Sequence, residues 1–312
     1  MNDRQLIDQV RTLLEPAEPP PHLRGKVNRM IAGTARPARA RSWRLATVGA
    51  TATVGVLALL VSSVVSIDGE PPAATAQAAE ILHRAADTAR ADRTPAPRGD
   101  QFILTTTKGF APVAGQDEPA TTLTRSWKSV DGTHDSMIWE SDPPASGRQS
   151  TVIPGCRNGR AKEWGPDGSL LNSTRPCTPT PAYLKNLPTD ATSMLNYLRR
   201  MNGRTTASDE ETFANVGELI RGYPPAQSRA ALYEAATKIP GVVASRSMTD
   251  AAGRSGTAVS LVGNIDRYDL IFEPQTYRFL GWQVVPKDES RGPVRSQVIL
   301  SVAIVDRAGQ VS

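Results

Sequence analysis

The hydrophobic and polar positions divide the chain into stretches of different period. From Leu45 to Ile67 the sequence LATVGATATVGVLALLVSSVVSI carries no charge, with Arg44 before it and Asp68 after it. At about 1.5 Å of rise per residue, a helix of this length covers roughly 34 Å, enough for a hydrocarbon core of roughly 30 Å with modest tilt. Its Ser and Thr hydroxyls can bond back to carbonyls one turn earlier. The reading is an uncleaved transmembrane helix over 45–67. A cleaved signal peptide and a buried core helix are the alternatives, and the 44 preceding residues and the length of the run argue against the signal peptide. Before this run, Leu6, Val10, Leu13 and Leu14 form one helical stripe and Leu23, Val27, Met30 and Ile31 another, with Pro19-Pro20-Pro21 between them. So few apolar residues cannot offset chain entropy alone, so the tail, 1–44, docks on a partner or stays dynamic.

Beyond a linker, 68–75, the pattern predicts one domain over 76–312. Ile81, Leu82, Ala85, Ala86 and Ala89 recur at helical spacing within Ala73 to Arg90. Gln101 to Thr107 reads as a strand, and Leu123 to Glu140 as a hairpin closed by Asp131-Gly132. A two-residue turn there sets Val130 opposite Thr133 and Lys128 opposite Asp135, and puts Leu123, Trp127 and Ile138 on one face, the candidate core or ligand face. His134 falls beside the turn as a polar strand residue. A helical block follows. Asp190 or Thr189 caps a stripe of Met194, Leu195, Leu198 and Met201. Ser208 opens a capping box ahead of Phe213, Val216, Leu219 and Ile220, with Gly222 as the stop, and Pro224-Pro225 starts a third helix running to about Ile239. Five strands close the chain: 242–248, 257–263, 267–272, 277–285 and 297–305. Helices grouped between two sets of strands predict an α+β domain, with a curved antiparallel sheet covered by helices on one face.

Charge adds orientation. The 36 basic and 31 acidic residues give a formal +5. Nine of the basic and four of the acidic residues lie in 1–44, which leaves 27 of each beyond the apolar run. Arg36, Arg39, Arg41 and Arg44 crowd its N-terminal flank, which places the tail in the cytoplasm and the large domain outside. The excess charge therefore sits at the membrane face and gives no reason to propose nucleic-acid binding. In that external compartment Cys156 and Cys177, in a loop rich in Gly, Asn and Pro, are expected to form a disulfide, with unpaired or redox-active thiols and a catalytic cysteine the alternatives.

The chemistry-bearing motifs are missing. There is no HExxH, GxSxG, P-loop or post-strand GxGxxG, and only His22, His83 and His134 are available as histidines. No catalytic, cofactor or metal residue is assigned, and the expectation is a protein that is not an enzyme.

The order of tail, anchor and domain, with the segments LKNLPTDATSMLNYL, RAALYEAATKIPGVV, DAAGRSGTAVSL and YDLIFEPQTYRFLGWQVV, resembles a family of actinobacterial single-pass membrane proteins typically encoded beside extracytoplasmic-function sigma factors. The resemblance implies an anti-sigma-like or envelope-sensing regulator, with the bilayer and a cytoplasmic sigma factor as partners. The order of elements outside is also similar, more weakly, to the LolA and MucB type of fold. That likeness implies the second reading, an extracytoplasmic carrier or binding module for a lipid or a peptide or protein ligand. The tail lacks the zinc-binding His-Cys-Cys set of ordinary anti-sigma factors.

Overall fold

The computed structural model describes residues 73–111, 120–141, 149–166, 168–203, 205–288 and 294–311. The tail, the apolar run and its flanking Arg36, Arg39, Arg41 and Arg44 lie outside the described residues, as do residues 68–72 of the linker. Among the described residues no helix is long and apolar enough to cross a membrane.

The domain is α+β. Helix α1 (Ala76–Ala91) starts where the Thr75 hydroxyl accepts from the Ala78 amide. Six strands follow: β1 (Phe102–Ala111), β2 (Ala120–Ser129), β3 (Ser136–Glu140), β4 (Ser150–Ile153), β5 (Arg160–Trp164) and β6 (Leu170–Pro176). Then come α2 (Ala191–Arg200), capped by Asp190, and α3 (Asp209–Arg221), which carries the full Ser208–Glu211 capping box. Helix α4 (Ala226–Ala236) leads into β7 (Val242–Thr249), β8 (Ser255–Val262), β9 (Asp266–Phe272), β10 (Phe279–Pro286) and β11 (Arg295–Val305).

Nine strands form one antiparallel sheet in the order β4-β3-β2-β1-β11-β10-β9-β8-β7, so the last strand inserts beside the first and joins the two groups. Strands β5 and β6 form a separate hairpin enclosed by the Cys156–Cys177 disulfide. Both strands are short and mostly exposed, so no apolar alternation marks them in the sequence.

The main core lies between the helices and one half of the sheet. Phe213 and Val216 of α3, Met194 and Leu198 of α2, and Leu82 of α1 meet Val242, Val259, Leu270 and Phe272 of β7, β8 and β9. Helix α4 sits at the centre, packing on α1, α2 and α3. Its Ala230, Ala231, Leu232, Tyr233, Ala235 and Ala236 are all buried, as expected of a helix surrounded on all sides. The small alanines let three neighbours approach it. On the opposite face of the sheet a second, smaller core joins Phe102, Leu104, Trp127 and Val305, flanked by Met137, Trp139 and Ala303. The C-terminal turn closes over it, where the Trp127 indole Nε1 donates to the Gln310 carbonyl at 2.6 Å.

One expectation is corrected here. Strands β2 and β3 pair as Trp127↔Met137 and Ser126↔Ile138, one residue away from the register of a two-residue Asp131-Gly132 turn. A slip of one residue moves every side chain to the other face. Met137 and Trp139 therefore share the face of Trp127 and Leu123, and Ile138 is on the opposite face. The physical cause is the turn. Asp131 accepts from the Thr133 amide at 2.9 Å and from the Ser129 hydroxyl at 3.1 Å, which ties up the connection as a wider loop over 130–135. Two other segments also cross it closely. The Cys156 amide donates to the Gly132 carbonyl. Gly132, at φ +76°, lies so near Thr180 that a Cβ would stand 2.6 Å from its backbone.

Candidate ligand cleft

The helices cover the β7–β10 half of the sheet's inner face and leave that of β1, β2 and β11 only partly covered, with Ile103 4% exposed and Val302 open to solvent. Ile103 of β1, paired with Lys128 of β2 and with Ile304 of β11, faces a cleft of about 780 Å³. Thr105 and Val302 continue that surface, and Val302 is 44% exposed. The opposite wall consists of the C-terminal end of α1 with Ala85 and Ala89, and of Ile220, Arg221 and Tyr223 at the end of α3. The segment 180–184 completes that wall, tied by backbone bonds to two neighbours: the Tyr183 amide donates to the Val130 carbonyl, and the Leu184 amide to the Tyr223 carbonyl. Tyr233 reaches the cleft from α4, with its ring edge on Phe272 at 5.6 Å between centroids. Burial pushes the Tyr233 hydroxyl far above the usual tyrosine range, so it stays neutral.

The walls are mainly aliphatic, but their charges are unequal. Five lining side chains are cationic (Lys128, Arg221, Arg229, Arg254 and Arg278), and one, Asp92, is anionic. Three of the cations are engaged. Arg229 pairs with Asp92, Arg254 with the fully buried Asp250 at 2.7 Å, and Arg278 with Glu273 at 3.6 Å. Burial works against the charge of Asp92. The Thr94 hydroxyl and amide, with Arg229, more than offset that penalty and hold the carboxyl below its ordinary value.

Lys128 and Arg221 are different. Neither forms an ion pair among the described residues. Arg221 uses its Nε on the Gly217 carbonyl at 3.2 Å and lies over the Trp282 ring at 4.9 Å. Solvent reaches both side chains, yet protein surrounds them: desolvation lowers the Lys128 ammonium, Arg221 lowers it further, and desolvation also lowers Arg221. Accessible but poorly solvated groups are what a concave site produces. The expected cross-strand partner of Lys128, Asp135, instead accepts from the Gly155 amide at 2.9 Å. The register slip that separates Ile138 from Trp127 also leaves Lys128 without its carboxylate.

The sequence-derived candidates therefore part company. Trp127, 3% exposed, and Leu123 lie on the sheet's outer face, and Trp127 anchors the small core there. Ile138 is on the cleft side by its pairing with Ser126. Cys156 and Cys177 are bonded, at Cα–Cα 5.9 Å, and neither lines the cleft. His134 stacks edge-on to Phe102 and sits 3.6 Å from Asp131, away from the cleft lining. Sequence reasoning missed Lys128, Arg221, Ile103 and Ile304. The signal that was there is the run of polar even positions Thr122, Thr124, Ser126 and Lys128 on β2, which marks a strand face not destined for the core. Among the described residues no group of three or more His, Cys, Asp and Glu side chains converges to hold a metal.

No family model matches the chain, and no curated protein matches it. Several solved structures are similar at low level. A crystal structure of MucB aligns over 76% of this chain and 61% of its own, with 12% identity and a TM-score of 0.29. The MucA/MucB complex from Pseudomonas aeruginosa aligns over 75% and 59%, with 12% identity and a TM-score of 0.28. The chain thus spans about three-fifths of the MucB length. A LolA superfamily protein from Nitrosomonas europaea aligns over 75% of this chain and 94% of its own, with 10% identity and a TM-score of 0.24. At these scores the likenesses carry no functional argument, which rests on the cleft.

Proposed function

We propose that residues 76–312 are an extracytoplasmic binding module, anchored by the 45–67 helix, whose cleft takes the apolar chain of a lipid-like ligand. The observation that carries this reading is the cleft between the inner face of β1, β2 and β11 and the ends of α1 and α3. Its volume of about 780 Å³ lies within the roughly 300–1,000 Å³ typical of small-molecule sites. An aliphatic wall made by Ile103, Val302, Ile304 and Ile220 suits an alkyl chain. The disulfide supports an oxidising compartment, and the arginines before the anchor support a cytoplasmic tail. No catalytic step is assigned to the cleft.

The regulatory reading joins to this one at the tail. The two amphipathic stripes of 1–44 support docking on a cytoplasmic partner, in the anti-sigma-like case a sigma factor, with occupancy of the cleft as the signal. Co-purification of the full chain with its cognate sigma factor, lost on deleting 1–44, would support that reading, and no co-purification would remove it.

The binding reading is tested with the full chain purified from membranes into amphipol, followed by solvent extraction and mass spectrometry. One alkyl-chain species per chain is expected, absent from a Val302→Trp variant that fills the cleft. An empty wild-type chain that also takes up no added cis-parinaryl alcohol, a fluorescent long-chain alcohol, would overturn it.

A further inference from the structure

The two cations without an ion pair among the described residues give the cleft a polar end that an alkyl-binding site does not need. Lys128 approaches from β2 and Arg221 from the end of α3, and both line the same cavity. Desolvation lowers both groups, Arg221 lowers Lys128 further, and Glu218 partly offsets the effect on Arg221. A like-charge pair in such a place raises the energy of the empty fold, and an anion between them reverses the sign of that interaction. The neighbourhood offers further unspent hydrogen-bonding groups. Ser126 is two residues from Lys128 on the same strand face, and its Oγ is buried without a partner among the described residues. Trp282, under the Arg221 guanidinium, has its Nε1 in the same condition. The other lining cations each have a carboxylate, although Arg254 also holds its Nη2 buried without a partner among the described residues. Asp92, the one lining carboxylate, is committed to Arg229.

We infer that the cleft selects an amphiphile with an oxyanion head, the head held between Lys128 and Arg221 and the chain along Ile103, Val302 and Ile304. The inference rests on the binding reading above and adds the class of ligand. An ammonium point charge and a guanidinium fork together suit a carboxylate or phosphate oxygen set. A neutral lipid would leave both cations unpaired and would gain only the chain's burial.

The test uses the full chain in amphipol and three probes: cis-parinaric acid, cis-parinaryl alcohol with the same chain, and inorganic phosphate as a competitor. The acid is expected to bind at least about tenfold more tightly than the alcohol. Lys128→Gln and Arg221→Met should each bring the acid affinity close to that of the alcohol, and Lys128→Arg should retain most of the preference. A thermal melt of each variant checks that it is folded. Equal affinity for acid and alcohol in the wild type overturns the inference and leaves the binding reading standing. Failure of both probes to bind overturns the binding reading itself. Phosphate that displaces the acid without a chain attached, at comparable concentration, shows a free-anion site and overturns the amphiphile.

Discussion

The two halves of the nine-stranded sheet are built from the same kinds of residue and meet different fates. On β7, β8 and β9 the inner face is pressed against helices, and Val242, Val259 and Phe272 are fully buried. On β1, β2 and β11 the inner face carries Ile103, Val302 and Ile304 and is only partly covered, and the small core of that half is on the opposite face, under the C-terminal turn. Burial in the first half secures the fold. Apolar surface left partly uncovered in the second costs stability, and the proposed binding reading rests on it.

The difference predicts a separation of stability from binding. Phe213→Ala, in the filled half, should cost about 3–5 kcal/mol by loss of transfer energy and creation of a cavity, read as a drop in the denaturant midpoint. Ile304→Ala, in the open half, should cost about 1 kcal/mol or less because its surroundings are already solvent-accessible, yet weaken binding of parinaric acid clearly. Equal destabilisation by the two would remove the distinction. Next in size is the disulfide. Replacing Cys156 and Cys177 by Ser releases a closed segment with a sequence separation of 21, for a loss of about 3 kcal/mol in the chain-entropy account, measured by thermal melts with and without reductant. Ser208→Ala removes one side of the capping box of α3 and should cost about 1 kcal/mol without changing ligand affinity.

The smallest effect has a diagnostic sign. The ammonium of Lys128 is lowered by desolvation and by Arg221, so below the ordinary lysine range the folded chain binds fewer protons than the unfolded chain. Stability therefore rises as pH climbs toward that range. The charged groups that line the cleft with Lys128 are Arg221 from α3, the Asp92–Arg229 pair, and Arg254 and Arg278, which are paired with Asp250 and Glu273. Lys128→Met should flatten the rise and stabilise the empty chain at neutral pH by less than about 1 kcal/mol, because solvent screens the group. A melt series across pH checks it, and a destabilised Lys128→Met chain would mean that the ammonium has a favourable partner.

Much of the fold was legible because its signals are local. The Ser208–Glu211 box, the Asp190 cap, the prolines before α4 and the alternation of the last five strands each declare their element without tertiary help. The open half was harder for a physical reason. Asp131-Gly132 advertises a tight hairpin, but Asp131 binds Ser129 and Thr133, and segments from Cys156 and Thr180 cross the turn, so the loop widens and the register moves by one. That single residue sends Ile138 to the cleft side, keeps Trp127 on the outer face and deprives Lys128 of Asp135. No period in the sequence records which half of a sheet the helices will cover, since that depends on how α1 to α4 pack together. The β5–β6 hairpin went unread because its strands face solvent and carry no apolar alternation.

The most direct test of the two-halves account is a paramagnetic one. A stearic acid carrying a doxyl spin label along its chain is added to the full chain, with methyl signals of Ile, Leu and Val observed by NMR. The account predicts strong broadening at Ile103, Val302 and Ile304 and little at Val242, Val259 and Leu232. Broadening that is uniform, or that centres on the outer-face core around Leu104 and Val305, would contradict it.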